Sequence, residues 1–253
     1  MAARRIEILG VPVDVIDWPS TLLIVEELLE RATQPATIVA VNPEKVMFAR
    51  EDAALLARLR VATLLIPDGI GVVWAARLLG LGRMERVPGS ELMPAICDLA
   101  ARKHCSIFLF GATAAVNSRA GQVLVARYPG LRIAGQRDGF VTQQEMDSLV
   151  QQINDSGAQI LFIALGSPRQ EMWMERYLSK LTIKLCQGVG GTFDVLAGNV
   201  KRAPHIFRVL NLEWFYRLLT NPTRIRRQLV LPQFAWKVIR AKLRDATDVS
   251  SSM

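Results

Sequence analysis

The sequence predicts an α/β, Rossmann-like domain built on a parallel sheet, followed by a helical, basic appendage. Three observations carry that prediction. Between residues 37 and 198, short apolar runs rich in β-branched residues alternate with stretches of helical pattern, as strands buried on both faces require. Several of those runs end in a turn bearing glycine or proline that opens a helix. From Lys201 the strand signals stop, and residues 201–244 hold 11 of the 31 Lys and Arg against one acid, Glu213, leaving 20 bases against 22 acids elsewhere.

The elements follow in order. Residues 37–41 read as a strand, with a helix beginning near Pro43. Residues 61–66 read as the next strand, turning through Pro67, Asp68 and Gly69 into a helix that runs to about Leu79. Residues 106–110 are a strand followed by Gly111 and a long helix to about Tyr128; 131–134 are a short strand and 142–154 a helix. Residues 159–165 are a strand turning through Gly166, Ser167 and Pro168 into a helix, and 183–187 the last strand, leading into the loop 188–198. The body is therefore 1–198 and the appendage 199–244, with a polar tail at 245–253 that is expected to be disordered. In the appendage, Pro204 and Asn221–Pro222 mark helix starts, with Asn221 a candidate N-cap. Ile206, Leu210, Trp214 and Leu218 share one face, and Arg224 and Arg227 share another.

Composition narrows the class. A chain of 253 residues that is 51% hydrophobic can bury a substantial core. No run reaches the 18 or so apolar residues of a membrane span, and the start lacks the apolar region of a signal peptide. Three cysteines without close spacing suit reduced thiols in the cytosol, and two histidines without a Cys/His cluster speak against structural zinc. The cationic end also carries Phe207, Trp214, Phe215, Tyr216, Phe234 and Trp236, so it suits an anionic surface, either a membrane leaflet or a nucleic acid.

In an open parallel sheet, ligands bind where strand carboxyl ends meet helix N-termini. Four such junctions stand out and are expected to share one edge: Asn42-Pro-Glu-Lys45, Asp68-Gly-Ile-Gly71, Gly166-Ser-Pro-Arg-Gln-Glu171 and Gly188-Val-Gly-Gly-Thr-Phe-Asp194. The cluster Gly188, Gly190 and Gly191 can present backbone N–H groups to a diphosphate, or simply make a tight turn. Gly69 and Gly71 suit a dinucleotide fingerprint, but Trp74 stands at its third glycine, so NAD is disfavoured. Asp68 is either an N-cap or a general base, and the residues alone favour the cap. Ser167 to Gln170 matches a capping box, whose helix start can still offer Arg169 or Gln170 to a phosphate. Asp194 fixes a turn or binds a hydroxyl, and Arg83 and Arg86 are a solvated pair or diphosphate ligands. No Asp-x-Asp pair ends a strand, so no metal is demanded.

Read together, Asn42-Pro-Glu-Lys45, Pro67-Asp-Gly69, Arg86-Val-Pro-Gly89, Gly166-Ser-Pro-Arg-Gln-Glu171, Gly188-Val-Gly-Gly-Thr-Phe-Asp-Val195, Lys201-Arg-Ala-Pro204 and Leu212-Glu-Trp-Phe-Tyr-Arg-Leu218 resemble the WecG/TagA/CpsF family of bacterial glycosyltransferases. The resemblance implies inverting hexosyl transfer from a UDP-sugar to an undecaprenyl-diphosphate-linked saccharide, at the cytoplasmic leaflet, without metal or cofactor; the UDP-sugar is a co-substrate. It implies Asp68 as general base, with Asn42 and Arg86 in the cleft and Gln170 and Asp194 near the nucleotide-sugar. It also implies that Arg217, Arg224 and Arg227 reach over the site toward the lipid diphosphate. Partners so implied are the donor, the polyprenyl-diphosphate acceptor, an anionic membrane surface and further copies of the chain. A nucleotide-binding module with a nucleic-acid-binding tail is the other reading, and no recognised nucleic-acid motif supports it. Some members carry Thr where this chain has Ala40, which leaves the donor sugar open among N-acetylmannosamine, its uronic acid and glucose.

Overall fold

The computed structural model describes residues 3–200, Pro204, Phe207, Tyr216 and 229–250, the last six without side chains. It begins with a hairpin of β1 (Arg4–Ile8) and β2 (Val11–Val15), then α1 (Trp18–Arg31), β3 (Ala36–Val41), α2 (Pro43–Ala49), α3 (Ala53–Val61), β4 (Leu64–Pro67) and α4 (Ile70–Leu78). There follow α5 (Gly89–Arg102), β5 (Ser106–Gly111), α6 (Ala114–Arg127), β6 (Arg132–Arg137), α7 (Met146–Asp155), β7 (Ile160–Ala164), α8 (Arg169–Tyr177), β8 (Leu185–Gly188) and α9 (Thr192–Leu196). The last helix, here α10, is Val230–Ser250.

Strands β3 to β8 form one six-stranded sheet, parallel throughout, in the order β4-β3-β8-β7-β5-β6. Alternate strand residues point to opposite faces, and both faces are buried. Val39, Val41, Leu65, Phe108, Phe110, Leu161 and Ile163 pack toward α2, α3, α4, α7, α8 and α10. Ile38, Leu64, Ile66, Ile107, Leu109, Ile160 and Phe162 pack toward α1, α5, α6 and α9. The expected α/β, Rossmann-like architecture is therefore present. The strand expected at residues 61–66 begins three residues late. Asp52 accepts a hydrogen bond from Leu55 N–H at 2.9 Å, and the helix so started runs through Val61, which is 84% exposed. A β-branched residue on a helix's outer face mimicked the start of the strand.

The hairpin covers one sheet edge. Asp14, 1% exposed on β2, accepts hydrogen bonds from Arg5 Nε at 2.7 Å, from Arg5 Nη2 at 3.0 Å, and from the N–H of Leu65 at 2.7 Å. An outward-facing donor of the edge strand β4 is thus satisfied by a side chain rather than by another strand. Asp14→Ala leaves that buried N–H unbonded and Arg5 without its carboxylate. It should destabilise the protein by about 2–3 kcal/mol in urea unfolding.

Cys97, Cys105 and Cys186 are free and buried. Burial alone pushes the Cys97 and Cys186 thiols far up, and it raises Cys105 against the pull of Lys184 and Lys103. Since the thiolate is the reactive form, native protein should resist alkylation at pH 7.5, and three thiols should appear only on unfolding, as read by mass spectrometry.

Helix α10 packs on α2 and α4. Phe234 and Val238, 2% and 0% exposed, enter the core on that face of the sheet, whereas Trp236 is 57% exposed beneath the guanidinium of Arg240, 5.1 Å from its ring centroid. The cationic end is thus seated on the body by one of the aromatics that its composition assigned to an external surface. The helix continues through Ser250, into the segment read as a polar tail. Among the described residues no helix is long and apolar enough to cross a membrane. Arg217, Arg224, Arg227 and the face formed by Ile206, Leu210, Trp214 and Leu218 lie outside the described residues.

Candidate active site

Two neighbouring strands, β3 and β4, present the first half of the site. Asn42 follows β3 and caps α2, its Oδ1 accepting from Lys45 N–H at 2.8 Å, with Pro43 at the first helical position. Asp68 follows β4, and its N–H donates to Val41 C=O at 2.9 Å, so the two strand ends are tied together. Asp68 does not cap the helix that follows it. Gly69 occupies that position without a side-chain bond, while Asp68 Oδ1 accepts from Gly89 N–H at 2.9 Å, the first residue of α5. The carboxylate therefore stands at the positive end of a helix on the far side of the chain turn. Arg86 Nε donates to the carbonyl of Asp68 at 3.0 Å, which brings this arginine to the strand end. A Cβ on Gly71 would lie 2.7 Å from Pro43 Cγ, so the Gly69–Gly71 pair serves the close approach of α4 to α2.

The second half comes from β7 and β8. The expected capping box at Ser167 is not formed: Pro168 precedes the helix and no side chain caps it, although Gln170 N–H donates to Gly166 C=O at 2.9 Å. Arg169 is exposed and folds its guanidinium back on Leu165 C=O, at 3.1 Å from Nε and 2.9 Å from Nη2. Gln170, 4% exposed, points instead to the glycine loop, where its Oε1 accepts from Gly190 N–H at 3.1 Å. Gly190 has φ +53°. A Cβ at Gly188 would press on Gln170 Nε2, so a side chain there would push the Gln170 amide aside. The loop was expected to offer several N–H groups. In the structure Val189 N–H donates to Ile163 C=O and Thr192 N–H to Val189 C=O, so Gly191, exposed, is a loop residue whose N–H lies outside these bonds among the described residues. Asp194 is half-buried in α9, and its carbonyl accepts from Asn199 and Val200 N–H at 3.0 and 3.2 Å, closing the turn after the helix.

The two halves meet because β8 lies beside β3. Two links join them that the sequence reading passed over. Lys45 Nζ lies 2.6 Å from Glu171 Oε1, a pair buried on both sides. Gln187, fully buried on β8, donates from Nε2 to Gly89 C=O at 3.3 Å. A glutamine inside the otherwise apolar strand sequence Leu185-Cys-Gln-Gly188 was the available signal. Asn42, Asp68, Arg86, Gln170, Gly188, Gly190, Gly191 and Asp194 thus stand at the carboxyl ends of four adjacent strands, whereas Arg169 turns aside. Two cavities lie elsewhere: one of about 440 Å³ beside the hairpin, lined by Arg5, Asp14, Leu28 and Thr63, and one of about 480 Å³ between α2 and α10. Neither includes a residue of the four strand-end junctions.

Residues 6–248 match the Glycosyl transferase WecG/TagA/CpsF family. The chain is 38% identical over 205 residues to a Bacillus subtilis protein named N-acetylglucosaminyldiphosphoundecaprenol N-acetyl-beta-D-mannosaminyltransferase, covering 81% of this chain and 79% of that protein. A protein of the same name from Bacillus spizizenii matches to the same extent. The Staphylococcus aureus protein of that name is 35% identical over 242 residues, 94% of this chain and 93% of its own length.

Proposed function

Because this chain belongs to the WecG/TagA/CpsF family of glycosyl transferases, we propose that it moves a hexosyl group from a UDP-sugar to a saccharide carried on undecaprenyl diphosphate. The relatives' names favour N-acetylmannosamine as the sugar and N-acetylglucosaminyl-diphosphoundecaprenol as the acceptor. The observation that carries the reading is the placement of Asp68. Its carboxylate faces the start of α5 rather than capping the helix that follows it, and it stands two strands from the glycine loop of β8, roughly 10 Å by sheet spacing, the span a donor sugar would bridge in this reading.

In this reading Asp68 accepts the proton of the acceptor hydroxyl as that oxygen attacks the anomeric carbon from the face opposite UDP. The new C–O bond forms, the bond to the diphosphate breaks with its electron pair, and the configuration inverts. Negative charge then grows on the departing UDP, where Gly191 N–H and arginines of the appendage act in place of a metal. Arg86 holds the main chain of Asp68, and Asn42 offers its amide Nδ2 to a substrate hydroxyl.

The acceptor's lipid brings the enzyme to a membrane. The outer side of α10 supports docking on an anionic leaflet: Trp236, Ile239 and Leu243 are exposed there, among Lys237, Arg240, Lys242 and Arg244. Each cation near such a surface contributes about 1 kcal/mol, and the apolar side chains enter the interface. The test is incubation with a panel of UDP-sugars and a synthetic lipid-diphosphate acceptor, reading the lipid product by mass spectrometry. Transfer of N-acetylmannosamine is the expected result, and no product from any donor would sink the reading.

A further inference from the structure

Among the described residues, two buried side-chain oxygens have no hydrogen-bond partner, Glu171 Oε2 and Gln187 Oε1, and both lie at the rim of the candidate site. Glu171 is the more unusual, because it is a carboxylate, 3% exposed, facing an ammonium on Lys45 that is 7% exposed. A buried ion pair of this kind is a weak source of stability, since apolar residues of similar volume do as well or better. What it supplies is orientation. Glu171 Oε1 accepts from Lys45 Nζ at 2.6 Å and from Gln170 Nε2 at 3.3 Å. A carboxylate can only accept, so it holds the amide of Gln170 with its N–H₂ inward. Gln170 Oε1 then faces outward and accepts from Gly190 N–H at 3.1 Å. Lys45 is itself fixed through its own N–H, which the Asn42 side chain accepts at 2.8 Å. One chain of bonds therefore runs from the end of β3, through the start of α8, to the loop after β8.

We infer that Lys45 and Glu171 are positioning residues for the donor end of the site: the pair sets the amide of Gln170, and through it the conformation of the glycine loop that receives the nucleotide diphosphate. The inference rests on the proposed reading of that loop. Neither residue touches substrate in this arrangement, and both act through Gln170.

The test is the double variant Lys45→Met/Glu171→Leu, which removes both charges at similar volume. Its midpoint of thermal unfolding should stay within a few degrees of wild type. Its KM for the UDP-sugar should rise about tenfold, the effect of one lost anchor, with kcat at saturating donor changed less than about threefold. Amide hydrogen exchange at Gly190 should lose its protection in the same variant, without any ligand present. Wild-type KM together with protected Gly190 would overturn the inference. Should that double variant not fold, Lys45→Leu/Glu171→Met, which also removes both charges and the acceptor of the Gln170 amide, takes its place with the same readouts, and failure of both to fold would make the pair purely structural and overturn the inference equally. Calorimetry of wild-type protein with UDP keeps the two claims apart. Absence of binding there counts against the donor reading, while the exchange at Gly190 still decides whether the pair positions the loop.

Discussion

Asp68→Asn is expected to lower kcat about 100- to 10,000-fold, the range for removal of a general base, while leaving the fold and both KM values within about a factor of three. The structure explains why asparagine is the informative replacement. Asp68 Oδ1 accepts from Gly89 N–H at 2.9 Å and thereby holds the start of α5. An asparagine oxygen can keep that bond, so the start of α5 stays held while the proton-accepting charge is lost. Asp68→Ala would lose the acceptor as well, and would mix a structural fault with a chemical one. The assay is single-donor transfer followed by mass spectrometry, beside a melting curve. Near-wild-type turnover in Asp68→Asn removes Asp68 from the chemistry.

The second large effect is expected at Phe234. Its side chain is 2% exposed in the seam between α10 and the body, and its ring lies 3.7 Å from where a Cβ of Gly71 would stand. Phe234→Ala should cost about 3–5 kcal/mol, a fall of roughly 10 °C in Tm for a chain of this size. Trp236→Ala, two residues on and 57% exposed, should leave Tm nearly unchanged and reduce flotation with anionic liposomes instead. If the two variants lost stability equally, the division of α10 into a seated face and a docking face would be wrong. Removal of everything after Gly198 takes Phe234 and Val238 with it, so a protein cut there should be less stable than the boundary at 198 suggests.

The sheet was legible because its strands are continuous apolar runs, and such runs in this number have few other homes. The strand-end loops were legible because Asn-Pro, Asp-Gly and glycine clusters have specific backbone uses. What stayed hidden was decided by tertiary partners. Asp68 looked like the cap of the helix beside it, and it caps the amide of Gly89 instead, 21 residues away. Ser167 had the letters of a capping box, yet the helix begins after Pro168. Lys45 and Glu171 stand 126 residues apart, and no local pattern connects them. Phe234 and Trp236 belong to one aromatic-rich stretch, and only the packing of α10 on α2 and α4 sends one inward and leaves the other in solvent.

Of the strands of the parallel sheet, the ribosome delivers β3 and β4 first and β5, β6 and β7 next, and the strand that must lie between the two groups, β8, comes last. Until residue 188 leaves the exit tunnel, β3 and β7 each show a bare flank to every other nascent chain nearby. Assembly therefore closes like a keystone arch: the final wedge locks both halves, and the same wedge carries Gln187 and the glycines to their places. A stalled or truncated product lacking β8 would be a sticky pair of half-built layers, the natural client of a holdase.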